Sequence, residues 1–274
     1  MPARTPLAVT ERRPDADSAT VPVVVLVHGS LDRGASFARV VRRLDDLHTI
    51  TYDRRGYQGS RDAGPPPADL DGQVDDLLAV IDGRPAVVVG HSLGGVVALA
   101  AALRPAGPGP LLAVAAYEPP LPWAGPWAQR PRPAPPSGPG AHGASRLDHD
   151  DPGLAAERFF RRMVGDTAWE RLDEAGRAGR QADGPALVAD LAYVRTSKAP
   201  FDVAALTVPA VFGRGSDSLP HHRAAVGWLT QEAVGSELVE IAGAGHGAHL
   251  THPDAFARFV RAAVRRVPRK AGSP

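Results

Sequence analysis

Short runs of apolar, mostly β-branched residues alternate with amphipathic segments along this chain, and no other feature restricts its fold as strongly. Residues 21–27 (VPVVVLV) and 86–89 (AVVV) are apolar throughout, which is typical of strands buried on both faces of a parallel sheet. Between these runs, apolar residues recur at helical spacing at Val74, Leu77, Leu78 and Ile81. Strands and helices that alternate in this way indicate βαβ units with right-handed crossovers.

The same pattern extends to the C-terminal part of the chain. Further strands are predicted at residues 48–52, 111–116, 208–212 and 237–241. A closing helix is indicated by the apolar residues Phe256, Phe259, Val260 and Val264. We therefore expect an α/β fold in which helices flank a mostly parallel, twisted sheet.

The middle of the chain interrupts this rhythm. It begins with a stretch rich in proline, a composition that suits neither helix nor sheet, and then shows helical patterns at residues 154–164 and 187–194. We expect residues 1–118 and 201–274 to form the α/β core. Residues 119–200 are then a Pro-rich linker followed by a helical insertion.

Composition and charge exclude several classes of protein. The chain of 274 residues has 31 Lys and Arg against 30 Asp and Glu, so it lacks the basic excess expected of a nucleic-acid-binding protein. It has no cysteine, which rules out disulfides, thiolate metal sites and cysteine nucleophiles. No apolar run is long enough to span a membrane, and the polar N-terminal residues lack the apolar core of a secretion signal. We expect a cytoplasmic protein whose partner is a small molecule, not a nucleic acid or a membrane.

The motif GHSLGG at residues 90–95 is the strongest sign of chemistry in the sequence. A predicted buried strand enters it and a predicted helix leaves it, which is the context of a sharp turn that exposes a nucleophilic serine. Such a turn strains the backbone of the serine, so the residues two positions away on either side, Gly90 and Gly94, must be small. The motif therefore predicts Ser92 as a nucleophile.

A serine hydroxyl is a poor nucleophile without a neighbouring base, and His246 is the candidate base. It lies between glycines in residues 243–247 (GAGHG), directly after the last predicted strand. The base in turn needs a carboxylate that fixes its tautomer. We favour Asp217, after the preceding predicted strand, because the order serine, acid, histidine with a late acid is the commoner one. Glu118, which directly follows an earlier strand, is the alternative.

Two backbone N–H groups are expected to stabilise the oxyanion that forms when a serine attacks a carbonyl. One belongs to Leu93, directly after the predicted nucleophile. The other belongs to the loop after the first buried strand, where we favour Ser30 over Leu31. We expect His28, in the same loop, to hold the turn by hydrogen bonds without a catalytic role. This chemistry requires no metal and no organic cofactor.

These motifs together resemble the α/β-hydrolase superfamily. The resemblance rests on His28-Gly29-Ser30, on YDRRGYQGS at residues 52–60, on GHSLGG and on Gly245-His246, and it covers residues 21–95 and 208–267. It implies that Asp53 and Arg54 are structural and that residues 119–200 form a cap over the site, inserted after the sixth strand.

The acid loop departs from the pattern of this superfamily. Three residues separate Gly213 from Asp217, whereas two are usual, and this difference keeps Glu118 as an alternative acid. A serine at the turn also argues against haloalkane dehalogenase and epoxide hydrolase chemistry, since those relatives use an aspartate there.

The motifs and the resemblance together predict a serine hydrolase that cleaves a carboxylic ester of a small molecule through an acyl-enzyme. Lactone, thioester or carbon–carbon bond hydrolysis on the same machinery stays open. So do a perhydrolase and a non-catalytic small-molecule binding protein, because a fold does not determine a function. Aromatic residues of the insertion either line an apolar acyl pocket or pack the cap onto the core: Trp123, Trp127, Phe159, Phe160 and Trp169.

Overall fold

The computed structural model describes residues 6–14, 22–104, 107, 109–124, 151–194 and 199–268. The strands are β1 (Val9–Arg12), β2 (Val23–Val27), β3 (Thr49–Tyr52), β4 (Ala86–His91), β5 (Leu111–Tyr117), β6 (Ala210–Gly215) and β7 (Glu237–Ile241). The helices before the insertion are α1 (Ala38–Val41), α2 (Leu70–Ile81) and α3 (Leu93–Ala102). Those of the insertion are α4 (Pro152–Val164), α5 (Asp166–Glu170), α6 (Glu174–Ala182) and α7 (Gly184–Val194). The last helices are α8 (Pro220–Glu232), α9 (Ala248–Thr251) and α10 (Pro253–Arg265).

The strands form one sheet of seven with the order β1-β3-β2-β4-β5-β6-β7. All neighbouring strands run parallel except β1, which pairs antiparallel with β3. The expected α/β fold with a mostly parallel sheet is therefore confirmed. The short strand β1 has the polar sequence VTER and is largely exposed, so it carries no pattern that predicts a buried strand.

Helices cover both faces of the sheet because alternate residues of the central strands point to opposite sides. Val25 of β2 packs in a core with side chains of α2, α3 and α8. Its neighbour Val24 packs in a second core with side chains of α1 and α10. Every residue of β2 is buried, as the uninterrupted apolar run predicts.

The register of the sheet brings four loops to one edge. Val27 at the end of β2 pairs with Gly90 of β4, and His91 of β4 pairs with Tyr117 of β5. Tyr117 also pairs with Gly213 of β6. The strand order reverses between β2 and β4, and ligands of open α/β sheets bind at the carboxyl ends of strands at such a point.

The helical insertion follows β5, the fifth strand of the described residues, one strand earlier than we expected. Helices α4 to α7 lie between β5 and β6, and their buried residues Ala156, Phe160, Trp169 and Leu187 form a small core with Leu31. None of the helices within the described residues is long and apolar enough to cross a membrane.

Candidate active site

Ser92 lies in a strained turn between β4 and α3. Its backbone has φ +52° and ψ −125°, a region that non-glycine residues rarely occupy. A Cβ atom on Gly90 would lie 2.1 Å from the carbonyl oxygen of Gly94, and one on Gly94 would lie 2.1 Å from that of Val27. Both positions therefore require glycine, as the sequence motif predicts, and the turn presents the Ser92 side chain at the edge of the sheet.

His246, in the loop after β7, is hydrogen-bonded to a buried carboxylate. Its Nδ1 lies 2.8 Å from Oε2 of Glu118, which follows β5 directly and is fully buried. The other oxygen, Oε1, accepts the N–H of Gly215 at 2.8 Å and the hydroxyl of Ser218. Burial raises the pKa of Glu118, but the hydrogen bonds from His246, Ser218 and Gly215 outweigh it and hold the pKa below its ordinary value. Glu118 is therefore a carboxylate at neutral pH.

Asp217 does not contact His246, so the preference for Asp217 as the partner of this histidine is corrected in favour of Glu118. The Asp217 side chain is exposed and accepts a hydrogen bond from the hydroxyl of Ser216 at 2.8 Å. The backbone N–H of Asp217 donates to the carbonyl of Ala244, so this loop approaches the histidine loop through its main chain. The nearby hydroxyl of Ser218 is the side chain that points inward, to Glu118.

The loop that carries His246 is held on several sides. The hydroxyl of Tyr117 donates to the carbonyl of Gly245 at 3.0 Å, and Nε2 of His91 lies 2.8 Å from the carbonyl oxygen of His246. The ring of His222 stacks on that of His246 with 4.3 Å between centroids and 14° between planes. Burial, with the field of His246, lowers the pKa of His222 to about 3, so this neighbouring ring is neutral at neutral pH.

Ser92 and His246 line one cavity of about 260 Å³ between the sheet edge and the insertion. Ser30 lines it as well, and Phe159 and Phe160 of α4 form part of its wall. The other aromatic candidates of the insertion differ in their placement. Trp169 is buried against Phe160, Trp123 packs on the core near α3, and Trp127 lies outside the described residues.

The predicted oxyanion donors lie on either side of the serine. Leu93 is the first residue of α3, where a helix leaves backbone N–H groups without an intrahelical acceptor. The loop after β2 lies against the serine, since a Cβ atom on Gly29 would come within 2.9 Å of the Cβ atom of Ser92. Ser30 follows directly in that loop. The two residues expected to donate to the oxyanion, Leu93 and Ser30, therefore both lie near Ser92.

Arg54 connects this loop to the insertion through a fully buried network. Its guanidinium donates to the carbonyls of His28 and Gly29 at 3.1 and 3.2 Å. It also forms a two-pronged ion pair with Asp190 of α7, with distances of 3.0 and 2.6 Å. His28 accepts the N–H of Arg54 on Nε2, which agrees with the structural role expected of His28. The sequence motif indicated Arg54, but nothing in the pattern of α7 indicated Asp190.

Two groups of side chains within the described residues have the donor set of a transition-metal site. One is Asp32, His91 and His249, and the other is Glu118, His222 and His246, with ligand atoms in each group within 4.8 Å of one another. In the first group an oxygen of Asp32 lies 3.3 Å from Nε2 of His249. The second group consists of the hydrogen-bonded pair Glu118 and His246 and of His222, whose ring stacks on that of His246.

Comparison with known proteins identifies the family of this chain. The sequence model described as the alpha/beta hydrolase family matches residues 24–259, so the chain belongs to that family. No curated protein sequence matches the chain significantly.

Several solved structures share the fold. An alpha/beta hydrolase from Sphaerobacter thermophilus is 26% identical with a TM-score of 0.70, over 93% of this chain and 95% of that one. A thermophilic esterase from Thermogutta terrifontis is 22% identical with a TM-score of 0.67, over 95% and 93% of the two chains. The enol-lactonase from Burkholderia xenovorans is 20% identical with a TM-score of 0.67, over 95% and 100%.

Proposed function

We propose that this protein is a serine hydrolase that cleaves a carboxylic ester, or a closely related acyl bond, of a small molecule. One observation carries the proposal. His246, whose Nδ1 is bound to the buried carboxylate of Glu118, lines the same cavity as Ser92 in its strained turn. Nucleophile, base and orienting acid are the three parts of a catalytic triad, which is recognised by geometry and not by sequence position.

In the proposed reaction His246 is the general base of the first step. Glu118 accepts a hydrogen bond from the Nδ1–H group of His246, which leaves the lone pair on Nε2 for the hydroxyl proton of Ser92. As that proton moves to His246, the Ser92 oxygen bonds to the substrate carbonyl carbon. The imidazolium then returns the proton to the departing alcohol, and an acyl-enzyme remains on Ser92.

The second step releases the acid. Water gives a proton to His246 and attacks the acyl carbon, and the same proton returns to the Ser92 oxygen as the carbon–oxygen bond breaks. Glu118 stabilises the imidazolium in both steps, while the neutral ring of His222 adds no positive charge against it. We propose that the N–H groups of Leu93 and Ser30 bind the oxyanion, a contribution of about 3 kcal/mol for each donor.

The comparisons support this choice of bond to the extent that fold likeness allows. Relatives with the same fold include an esterase and an enol-lactonase. The helical insertion contributes Phe159 and Phe160 to the cavity wall, and we propose that it acts as a cap over the site. The substrate therefore needs an apolar portion next to its acyl bond.

Covalent labelling of the serine tests the proposal. A fluorophosphonate probe should label the wild-type protein once, at Ser92, and hydrolysis of short methyl and nitrophenyl esters should be lost in the Ser92→Ala variant together with the label. His246→Ala should slow labelling strongly because the hydroxyl then has no base. Ser236→Ala is the matched control, since this serine, just before β7, does not line the cavity.

Two results would overturn the assignment. Labelling that persists in Ser92→Ala would place the nucleophile elsewhere. A wild-type protein that binds esters but is neither labelled nor active would instead be a binding protein on the hydrolase scaffold.

A further inference from the structure

Arg180 is a positively charged side chain in the wall of the catalytic cavity. It lies near the end of α6, and it lines the cavity together with Ser92 and His246. Its side chain is partly buried, and its guanidinium carbon lies 5.6 Å from the ring centroid of Phe160. One N–H donates to the carbonyl oxygen of Leu31 at 2.8 Å.

The charge of Arg180 is not neutralised by a direct partner. Within the described part of the chain, no carboxylate lies within ion-pairing distance of its guanidinium, whereas Arg54 and Arg61 pair with Asp190 and Asp183 at 2.6 and 2.7 Å. Burial lowers the pKa of Arg180, and the positive charge of Arg33 lowers it further. An unpaired cation in such a place is costly unless something else supplies the negative charge.

The nearby acids are already engaged with other groups. Asp32 lies 3.3 Å from Nε2 of His249 and accepts a hydrogen bond from the hydroxyl of Ser36 at 3.0 Å. Asp183 is fully buried and accepts from Arg61 and from Gln58. The charged groups that act most strongly on Arg180 are two carboxylates, Asp32 and Asp183, and two arginines. Together with Arg180 these groups are three arginines and two carboxylates, so they carry one net positive charge.

The cavity wall also holds polar groups, Asp32, His91 and His249, and several apolar side chains. The apolar side chains include Phe159, Met163, Val164 and Leu250. A guanidinium has five N–H donors in a planar fork that matches a carboxylate, and the carbonyl of Leu31 uses one of them. Asp32 accepts a hydrogen bond from Ser36, so the guanidinium of Arg180 beside the apolar side chains fits a ligand with a short hydrocarbon body and an anionic end.

We propose that Arg180 binds a carboxylate of the substrate, so that the ester cleaved at Ser92 is a small molecule that also carries a carboxylate group. This inference rests on the proposed function and specifies its substrate class. The size of the cavity adds a limit. A cavity of 150 Å³ holds benzene, so 260 Å³ holds roughly ten non-hydrogen atoms, the size of a short half-ester of a dicarboxylic acid.

Matched pairs of esters test the inference. Monomethyl glutarate carries the carboxylate in its acyl part, and in methyl 5-methylhexanoate an isopropyl group replaces it. The pair 4-acetoxybutyrate and 4-methylpentyl acetate differs in the same way in the alcohol part. The measured quantity is the ratio of kcat/KM for the anionic ester to kcat/KM for its neutral match, in a pH-stat assay. This ratio cancels any general loss of activity.

In the wild-type protein we expect the anionic member of one pair to be preferred. Arg180→Gln should lower the ratio by roughly 10- to 100-fold, mainly through KM, because a hydrogen bond to a charged group is lost. Arg180→Lys should restore part of the ratio, since it restores the charge but not the fork. Arg177→Gln is the control on the same helix, because Arg177 donates to the carbonyl of Glu170 and does not line the cavity.

The inference is overturned if Arg180→Gln leaves both ratios unchanged, or if it lowers the anionic and neutral rates equally. In the latter case Arg180 only ties α6 to Leu31. If no ester is cleaved and Ser92 is not labelled, the proposed function fails, and calorimetric binding of glutarate then tests Arg180 independently. Glutarate that binds equally to wild type and Arg180→Gln overturns the inference, and weaker binding to the variant supports it.

Discussion

Replacement of Glu118 by glutamine should disable the proposed catalytic base while leaving the shape of the site almost unchanged. Oε1 of Glu118 accepts hydrogen bonds from Gly215 and Ser218, so the amide oxygen of a glutamine would keep these two donors. Its NH2 group would then face Nδ1 of His246. A donor at that place forces the histidine proton onto Nε2, toward Ser92, where the lone pair of the base is needed.

The size of the effect follows from this change of tautomer. An amide in place of the triad carboxylate lowers kcat by roughly 10⁴-fold, which corresponds to about 5.5 kcal/mol of transition-state stabilisation. KM for a small ester should change little, because Glu118 does not line the cavity. The free energy of unfolding should fall by about 1–3 kcal/mol, since a buried charge-assisted hydrogen bond is replaced by a neutral one.

Steady-state hydrolysis of a short ester measures kcat and KM, and the rate of fluorophosphonate labelling measures the reactivity of Ser92 independently. Asp217→Asn is the matched control, because this carboxylate is exposed and bonded locally to Ser216. It should leave both rates within about twofold. The reasoning is refuted if Glu118→Gln retains more than a tenth of kcat, or if Asp217→Asn is the variant that loses activity.

Three further outcomes follow from the structure. Asp190→Ala leaves Arg54 buried without its partner, so urea unfolding should show a loss of about 3–5 kcal/mol, and a loss under 1 kcal/mol would contradict the buried pair. Gly94→Ala places a Cβ atom 2.1 Å from a carbonyl oxygen, so this variant should be unfolded or insoluble, and a folded, active protein would disprove the tight turn. Burial lowers the pKa of His28 to about 4 and the pKa of His222 to about 3. Below about pH 6.5 these two histidines therefore bind protons more readily in the unfolded chain than in the folded protein. Stability should therefore fall as the pH drops, by about 2 kcal/mol for each histidine at pH 5, and equal urea midpoints at pH 7 and pH 5 would contradict this.

The fold could be predicted from the sequence wherever burial decides the structure. The strand predicted at residues 111–116 is observed as β5 (Leu111–Tyr117). An uninterrupted apolar strand is typical of the interior of a sheet that has helices on both faces. Among the elements that the sequence did not predict, β1 and α6 were missed for the opposite reason. The strand β1 is exposed and depends on backbone pairing with β3, and α6 has no buried residue, so neither leaves an apolar pattern in the sequence.

The candidate site could be predicted only in part. Ser92 has a local signal, since the turn demands glycines that are visible in the sequence. The choice between Glu118 and Asp217 is hard to make from the sequence, because both residues follow the end of a strand. Glu118 has a positive φ of +46° and finds donors on Gly215 and Ser218, which are distant in sequence, and the extra residue in the acid loop was the one available sign.

The stacked ring of His222 escaped prediction completely. It lies in the first turn of α8, outside any motif, and its contact with His246 exists only in the folded protein. The position of Arg180 could not be predicted either. In the sequence it is one of many arginines, and only the folded structure shows that it lines the cavity. Roles that depend on tertiary neighbours leave no periodic pattern in a single sequence.

The buried pair of Arg54 and Asp190 has a consequence for the redesign of this protein. A chimaera that receives the insertion of another family member without an acid at this place would trap a guanidinium in the interior. Directed evolution of substrate range should therefore leave α7 untouched and diversify α4, whose side chains Phe159 and Met163 line the cavity. Core and insertion should therefore be exchanged together, since a buried charge on one requires its partner on the other.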